Sequence, residues 1–466
     1  MHQRSELANG NSVLIRGAVA IMTGLPGERA RAAGADIRVQ DSRIREIGHL
    51  TPNDGERVID ARDCVIYPGW VNTHHHLMQG LLKGVPEGLN AGLLRWLQAV
   101  PFRYRMRFTS ELLETAALLS LSELVLGGCT TVADFHNLYF PGMTYDGAAT
   151  LFAAAERLGV RLVLCRAVTT RVRNSQYGPA DAMRPETLRD AIADVTRTAA
   201  AFHDGGTCAR RRVAVAAPML TQSLGPEELR ELAAEARRLG LGLHAHLAET
   251  RLDVDFCREV HYARPLEFAR SVDWSGPDTW FAHLVHADEE DIRILAETRT
   301  SVAHCPGSNC RLGSGVADIP AMAAAGVRVG LGQDGGAANE PGHMLAEAHL
   351  AWYLHRSRSG AAAVSIEDIV HWGTRAGAEI LGFDAVGAVA PGFEADLAIY
   401  RIDDVCFAAF HDMAIAPVAT GIRPHLKCLM VGGRTIVEDG RILGLEMPAL
   451  RERVRSAVLR LAGSFP

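Results

Sequence analysis

Four separated pieces of this 466-residue chain carry side chains that could do hydrolytic chemistry: Asn72-Thr73-His74-His75-His76, His244-Ala245-His246-Leu247-Ala248-Glu249-Thr250, Ala282-His283 and Gln333-Asp334-Gly335. Brought together, they supply the imidazoles and carboxylates that a water-activating metal centre needs. A divalent ion held by His74, His76 and His246, with Asp334 touching both ion and water, keeps a coordination position open and lowers the pKa of water towards about 7. Zinc is expected ahead of ferrous iron. His283 is read as a further ligand or a substrate contact, and Glu249, three residues after His246, as a proton shuttle outside the ligand set. Only one ion is expected, because residues 213–218 hold no lysine that could bridge a second.

Each piece closes a short apolar run, so a strand is the expected carrier. Side chains two apart on a strand share a face, which places His74 and His76 together and turns His75 outward. A lone histidine in an apolar run is more often a core residue than a ligand; the joint pattern of two H-x-H pairs, an H-x-x-E and a strand-final Asp-Gly argues otherwise here. Among the remaining histidines, His244 is expected to support the barrel interior, His286 and His304 to line the pocket, and His136 and His203 to have no role. Cys305 and Cys310 are expected to line the site and not to act as nucleophiles.

Eight such runs alternate with helical patterns: 69–76, 129–134, 161–167, 212–218, 242–247, 280–285, 301–304 and 327–333. Repeated βα units of this number predict an α/β fold, a closed (β/α)8 barrel of the TIM type over 68–385, with its chemistry at the strand C-terminal ends. Gly225-Pro226-Glu227-Glu228 and Ser365-Ile366-Glu367-Asp368 read as helix starts. The flanks instead show short alternating strands, at 12–22, 36–39, 43–47 and 57–59, then 396–400 and 428–443. Residues 1–67 and 386–466 are therefore expected to join in one small β-sandwich, with hairpin turns at Gly432-Gly433 and Asp439-Gly440 and a helix near the C-terminus.

The bulk properties fit a soluble enzyme. With 48% hydrophobic residues and a formal net charge of -6, neither nucleic acid nor an acidic membrane is an expected partner. No stretch approaches the length of a spanning helix and no apolar leader follows Met1, so a cytoplasmic location is expected. Nine scattered cysteines without a CxxC pair suit reduced, buried thiols.

The ordered motifs P-G-x-x-N-T-H-x-H (68–76), H-x-H-x-x-E-T (244–250), A-H-x-x-H (282–286), H-x-P-x-S-N-x-x-L-G-x-G (304–315) and D-G-x-x-x-N (334–339) resemble the amidohydrolase superfamily. More narrowly, the chain resembles its mononuclear aminohydrolase branch, which includes guanine, 8-oxoguanine, S-adenosylhomocysteine and chlorotriazine hydrolases. The stretches 72–97, 139–143 and 369–373 look most like pterin deaminases acting on isoxanthopterin, with 8-oxoguanine deaminases next. Gln333 and Ala338 depart from the usual pattern beside Asp334, where they could retune the pocket.

The resemblance implies hydrolytic deamination of a fused N-heterocycle: Asp334 takes a proton from the attacking water, Glu249 protonates the ring nitrogen beside the amino-bearing carbon, and ammonia leaves. His283 would hold the attacking oxygen. A flat, lactam-rich small molecule calls for amide and guanidinium donors beside an apolar wall, and Gln79, Trp96, Tyr139, Arg171, Arg173, Gln222 and Asn309 are the candidates. A homo-oligomer is also expected. Two other readings stay open: a chlorotriazine-type or amide hydrolase built on the same centre, and a non-catalytic assembly protein. Loss of Glu249 or Asp334 would favour the last, and both are present.

Overall fold

Eight of the apolar runs become parallel strands in the computed structural model, which describes residues 12–171 and 185–463. They are β1 (Trp70–His75), β2 (Cys129–His136), β3 (Arg161–Ala167), β4 (Arg211–Ala217), β5 (Gly242–Leu247), β6 (Thr279–His283), β7 (Ser301–His304) and β8 (Val329–Leu331). Each pairs with the next in chain order, and helices fill the connections. The two ends of the sheet meet where Thr73 Oγ1 donates to the Leu331 carbonyl (2.8 Å) and the Asp334 amide donates to the His74 carbonyl (2.9 Å). The result is a nearly closed (β/α)8 barrel.

The strand ends differ from the expected ones for a reason that bears on the site. Ala248 (φ 50°), His283 (75°), Leu284 (47°) and Asp334 (61°) take left-handed backbone where β5, β6 and β8 give way to loops. β6 therefore stops at His283, short of residue 285, and β8 stops at Leu331, short of 333. Non-glycine residues seldom adopt this conformation; four at one end of a barrel mark the face where the backbone accepts strain to aim its side chains.

The expected helix punctuation forms. The Gly225 amide donates to Glu228 Oε2 (2.6 Å) at the start of Pro226–Arg238, and the Asp368 amide donates to Ser365 Oγ (3.0 Å) at the start of Ile366–His371.

The two chain ends build two further sheets. Arg43–Gly48, Asp36–Gln40, Val13–Arg16 and Arg57–Asp60 form one, in that order; Arg441–Ile442, Arg434–Glu438, Leu426–Val431, Leu397–Arg401, Cys64–Pro68 and Ala20–Ile21 form the other. Ile15, Ile37 and Val39 of the first pack with Ile66, Leu397, Ile399 and Met430 of the second, which makes a sandwich with its own core. Residues 12–22 are not one strand as expected: Gly17 (φ 81°) breaks the run, so Val13–Arg16 joins one sheet and Ala20–Ile21 the other. Both glycine turns form, with left-handed pairs at Gly432-Gly433 (55°, 71°) and Asp439-Gly440 (45°, 71°). Met447–Ala462 is the helix near the C-terminus.

Sandwich and barrel are joined by buried charge. Arg161, at the start of β3, donates from Nε to Asp396 Oδ2 (2.8 Å), from Nη2 to Asp396 Oδ1 (3.0 Å) and from Nη2 to Glu394 Oε2 (3.2 Å). All three side chains are buried. Removing one member of such a group leaves an uncompensated charge out of water. Arg161→Ala is therefore expected to lower the unfolding free energy by about 3–5 kcal/mol in urea titrations; a loss below about 1 kcal/mol would place this contact among ordinary surface ion pairs.

Candidate metal centre and active site

Three imidazoles, His74 on β1, His76 just past its end and His246 on β5, are each fixed by a hydrogen bond at Nδ1. His76 Nδ1–H donates to the Phe135 carbonyl (2.8 Å) and His246 Nδ1–H donates to the Pro218 carbonyl (2.7 Å). His74 Nδ1 lies 2.8 Å from His244 Nε2. Burial pushes all three rings below the ordinary histidine range, His74 to about 4, so the rings are neutral at pH 7. A neutral imidazole whose proton is on Nδ1 has only a lone pair at Nε2.

These lone pairs converge. His76 Nε2 and His246 Nε2 are 3.3 Å apart with no proton available to either, and buried His74 Nε2 has no hydrogen-bond partner within 3.5 Å among the described residues. Ligand atoms of His74, His76 and His246 all lie within 4.8 Å of one another, as do those of His74, His283 and Asp334. Acceptors facing acceptors repel unless a cation sits among them, so the donor set fits one divalent ion. His75 is on the other face of β1 and buried.

Two carboxyl groups flank the imidazoles. Asp334 Oδ1 is 3.4 Å from His76 Nε2 and 3.6 Å from His74 Nε2, while Oδ2 accepts from Ser308 Oγ and Oδ1 from the Gly335 amide. Ser308 had no assigned role in the sequence; its place in the H-x-P-x-S motif was the available signal. Glu249 Oε2 lies 3.7 Å from His283 Nε2, and Oε1 accepts from Ser314 Oγ (3.4 Å). Burial pushes the Glu249 carboxyl up to about 7, which keeps a large fraction protonated near neutrality. His283 donates from Nδ1 to Asn309 Oδ1 (2.8 Å), leaving its Nε2 lone pair towards Glu249.

A cavity with about 1180 Å³ of empty space, part of it open to solvent, lies over this floor. Leu93, Trp96, Leu97, Pro101 and Phe102 form its apolar wall. Of the candidate substrate contacts, Gln79, Trp96, Arg171 and Gln222 line it. Gln79 has a buried amide oxygen without a hydrogen-bond partner among the described residues, packed so closely on Gly335 that a Cβ there would fall 2.0 Å from it and displace the Gln79 side chain. Trp96 is anchored by Nε1–H to the Ala337 carbonyl (3.3 Å), Arg171 pairs with Glu228 (3.1 Å), and Gln222 bonds Asp253.

Other expectations are corrected. Asn309 is beneath the cavity, holding His283. Tyr139 sits in a neighbouring cleft under the Arg166 guanidinium, 3.8 Å from its ring centroid. Arg173 lies outside the described residues. Gln333 is turned away, donating to the Asn339 carbonyl (3.2 Å), and Ala338 is packed inside, so neither touches the cavity. His304 does not line it either, being bonded to His355 (3.0 Å), and His286 bonds the Ser314 carbonyl (3.1 Å). Cys305 is buried with its thiol pushed well up, and Cys310 is exposed; neither lines the cavity.

Arg105, for which the sequence carries no distinguishing signal, is buried and reaches the cavity wall. Arg103, Arg105 and Arg107 alternate along one segment, and only packing distinguishes them. Arg103 pairs with exposed Glu87, and Arg107 caps the Leu461 carbonyl.

Known proteins resemble this chain in sequence and in fold. Isoxanthopterin deaminase from an unknown prokaryotic organism is 46% identical over 97% of each chain. The 8-oxoguanine deaminase of Pseudomonas aeruginosa is 38% identical over 92% of this chain and 95% of that one. The crystal structure of atrazine chlorohydrolase from Arthrobacter aurescens TC1, complexed with zinc, superposes with a TM-score of 0.89 at 28% identity, covering 96% of this chain and 100% of the other. The amidohydrolase family pattern is matched over residues 65–436, a stretch that takes in all eight barrel strands and every converging donor. On that match the chain belongs to the amidohydrolase family.

Proposed function

We propose that the chain is a zinc-dependent deaminase that hydrolyses the exocyclic amino group of a fused N-heterocycle, most specifically a pterin of the isoxanthopterin type. Family membership together with deaminase relatives supports a hydrolase acting on carbon–nitrogen bonds. The observation that carries the finer reading is a protonatable carboxyl, Glu249, facing the same cavity as a ligand cluster that contains a second carboxylate, Asp334. Sequence identity of 46% to an isoxanthopterin deaminase supports the choice of heterocycle.

Zinc held by His74, His76, His246 and Asp334 would supply Lewis acidity and lower the pKa of a water at the site. Asp334, oriented by Ser308 and the Gly335 amide, accepts the proton that the attacking water releases. His283 Nε2, an acceptor because Nδ1–H is tied to Asn309, orients the water's other O–H. Glu249, protonated near neutrality by virtue of its burial, donates to the ring nitrogen next to the amino-bearing carbon as that carbon becomes tetrahedral. The proton held by Asp334 then passes to the amine while the hydroxyl proton on the tetrahedral carbon returns to Glu249, so that the carbon–nitrogen bond breaks, the carbonyl forms, ammonia leaves and both carboxyl groups regain their starting states. The wall of Trp96, Leu97 and Phe102 excludes water from the faces of a flat ring, and the Gln79 amide oxygen is placed to accept a ring N–H.

Two outcomes are expected. Glu249→Gln should lower kcat/KM by roughly 10²–10⁴-fold, the usual contribution of a positioned acid–base group, with zinc content equal to wild type by atomic absorption. Retained turnover in that variant would remove Glu249 from the chemistry. In an ammonia-release panel, isoxanthopterin should be turned over with higher kcat/KM than 8-oxoguanine, guanine or a chlorotriazine; preference for 8-oxoguanine would reassign the substrate, and chloride release would reassign the reaction.

A further inference from the structure

The three Nδ1 hydrogen bonds of the imidazole cluster are not equivalent. His76 and His246 donate to backbone carbonyls, which can only accept, so their tautomers are settled by the barrel itself. His74 instead meets a side chain, His244 on β5, at 2.8 Å. His244 is fully buried, stacked on the Trp280 ring (centroids 4.5 Å apart, 16° between planes). Its own Nδ1 lies 2.8 Å from the Trp280 carbonyl. That carbonyl has no proton to give, so the proton of this contact is on His244 Nδ1. His244 Nε2 is then an acceptor, and the proton between the two rings must belong to His74 Nδ1.

We propose that His244 is a positioning residue which, through this relay from the Trp280 carbonyl, fixes His74 as the Nδ1–H tautomer and so keeps its Nε2 lone pair directed at the ion site. The inference rests on the metal-dependent reading above and deepens it. The alternative tautomer is close at hand: with its proton on Nε2, His74 would point a donor at Asp334 Oδ1, 3.6 Å away. An ion would then have to displace that proton before His74 could bind it. His244 removes this competitor, and it is the one tautomer-setting contact of the three that a side-chain change can cut without moving backbone.

The test compares wild type, His244→Phe and His244→Gln. Phenylalanine keeps an aromatic ring against Trp280 and removes the acceptor; glutamine carries an acceptor to nearly the same reach. Zinc affinity is read by competition with a chromophoric chelator at neutral pH, without reference to turnover. His244→Phe is expected to bind zinc about 10–100-fold more weakly, the usual effect of losing a group that orients a ligand, and His244→Gln to recover most of that loss. Equal affinity in wild type and His244→Phe overturns the proposal while leaving the metal reading intact. An equal loss in the two variants also overturns it, since packing alone would then account for the effect. A wild-type protein that binds no zinc overturns both readings. Should His244→Phe fail to fold, imidazole 15N shifts of metal-free wild type still decide: a proton on His74 Nδ1 supports the relay, and a proton on Nε2 refutes it.

Discussion

Imidazole lone pairs pressed against one another inside a barrel set the conditions for everything else in this structure. With His76 Nε2 and His246 Nε2 3.3 Å apart and both Nδ1 protons committed to carbonyls, no rearrangement of protons within the site can turn the contact into a hydrogen bond. A cation relieves it; nothing in the neutral protein does. The carbonyls that enforce the arrangement belong to Phe135 in β2 and Pro218 just past β4, so the electrostatic demand at the centre is written into barrel backbone and not into adjustable side chains.

The fold absorbs the cost of that arrangement elsewhere. Left-handed residues cluster where β5, β6 and β8 end, and they include His283 and Asp334 themselves. Such positions persist only where surrounding structure over-determines them. Here the Asp334 amide is tied to the His74 carbonyl, Gln333 and Asn339 brace the following loop through the Asn339 Nδ2 bond to the Gln333 carbonyl (2.7 Å), and Glu347 receives the Gly307 amide (3.0 Å). At the opposite end, the buried Arg161 group and the Trp70 Nε1 bond to Tyr400 OH (3.0 Å) hold the sandwich to the barrel. Rigidity below and strain above suit a site that must present fixed acceptors.

Above the polar floor the cavity changes character, from imidazole and carboxylate to Trp96, Leu97, Pro101 and Phe102. These residues come from helices after β1 and not from barrel strands. Floor and wall thus have separate origins in the chain. In the proposed reading, the reaction class depends on the first, and selectivity among substrates on the second. Arg105 and Tyr139 illustrate the separation: the Tyr139 carbonyl accepts from Arg105, so one residue reaches the cavity wall through the support of another that never touches it.

The barrel and the common facing of His74 and His76 were legible in the chain alone, because both follow from local periodicity. Alternation within each apolar run puts His74 and His76 on one face, and eight such runs with helical spacers admit few architectures other than a closed parallel barrel. Glycine pairs at 432–433 and 439–440 announced their turns for the same local reason. Properties that arise between distant segments needed the packed chain: Gly17 dividing one run between two sheets, Asn309 under His283 instead of in the cavity, Tyr139 beneath Arg166, and Arg105 at the cavity wall where Arg103 and Arg107 are not. Which nitrogen of each histidine carries the proton belongs to the same group, since it is set by carbonyls and rings far away along the chain. Periodicity encodes which way a side chain faces; only packing encodes what it meets there.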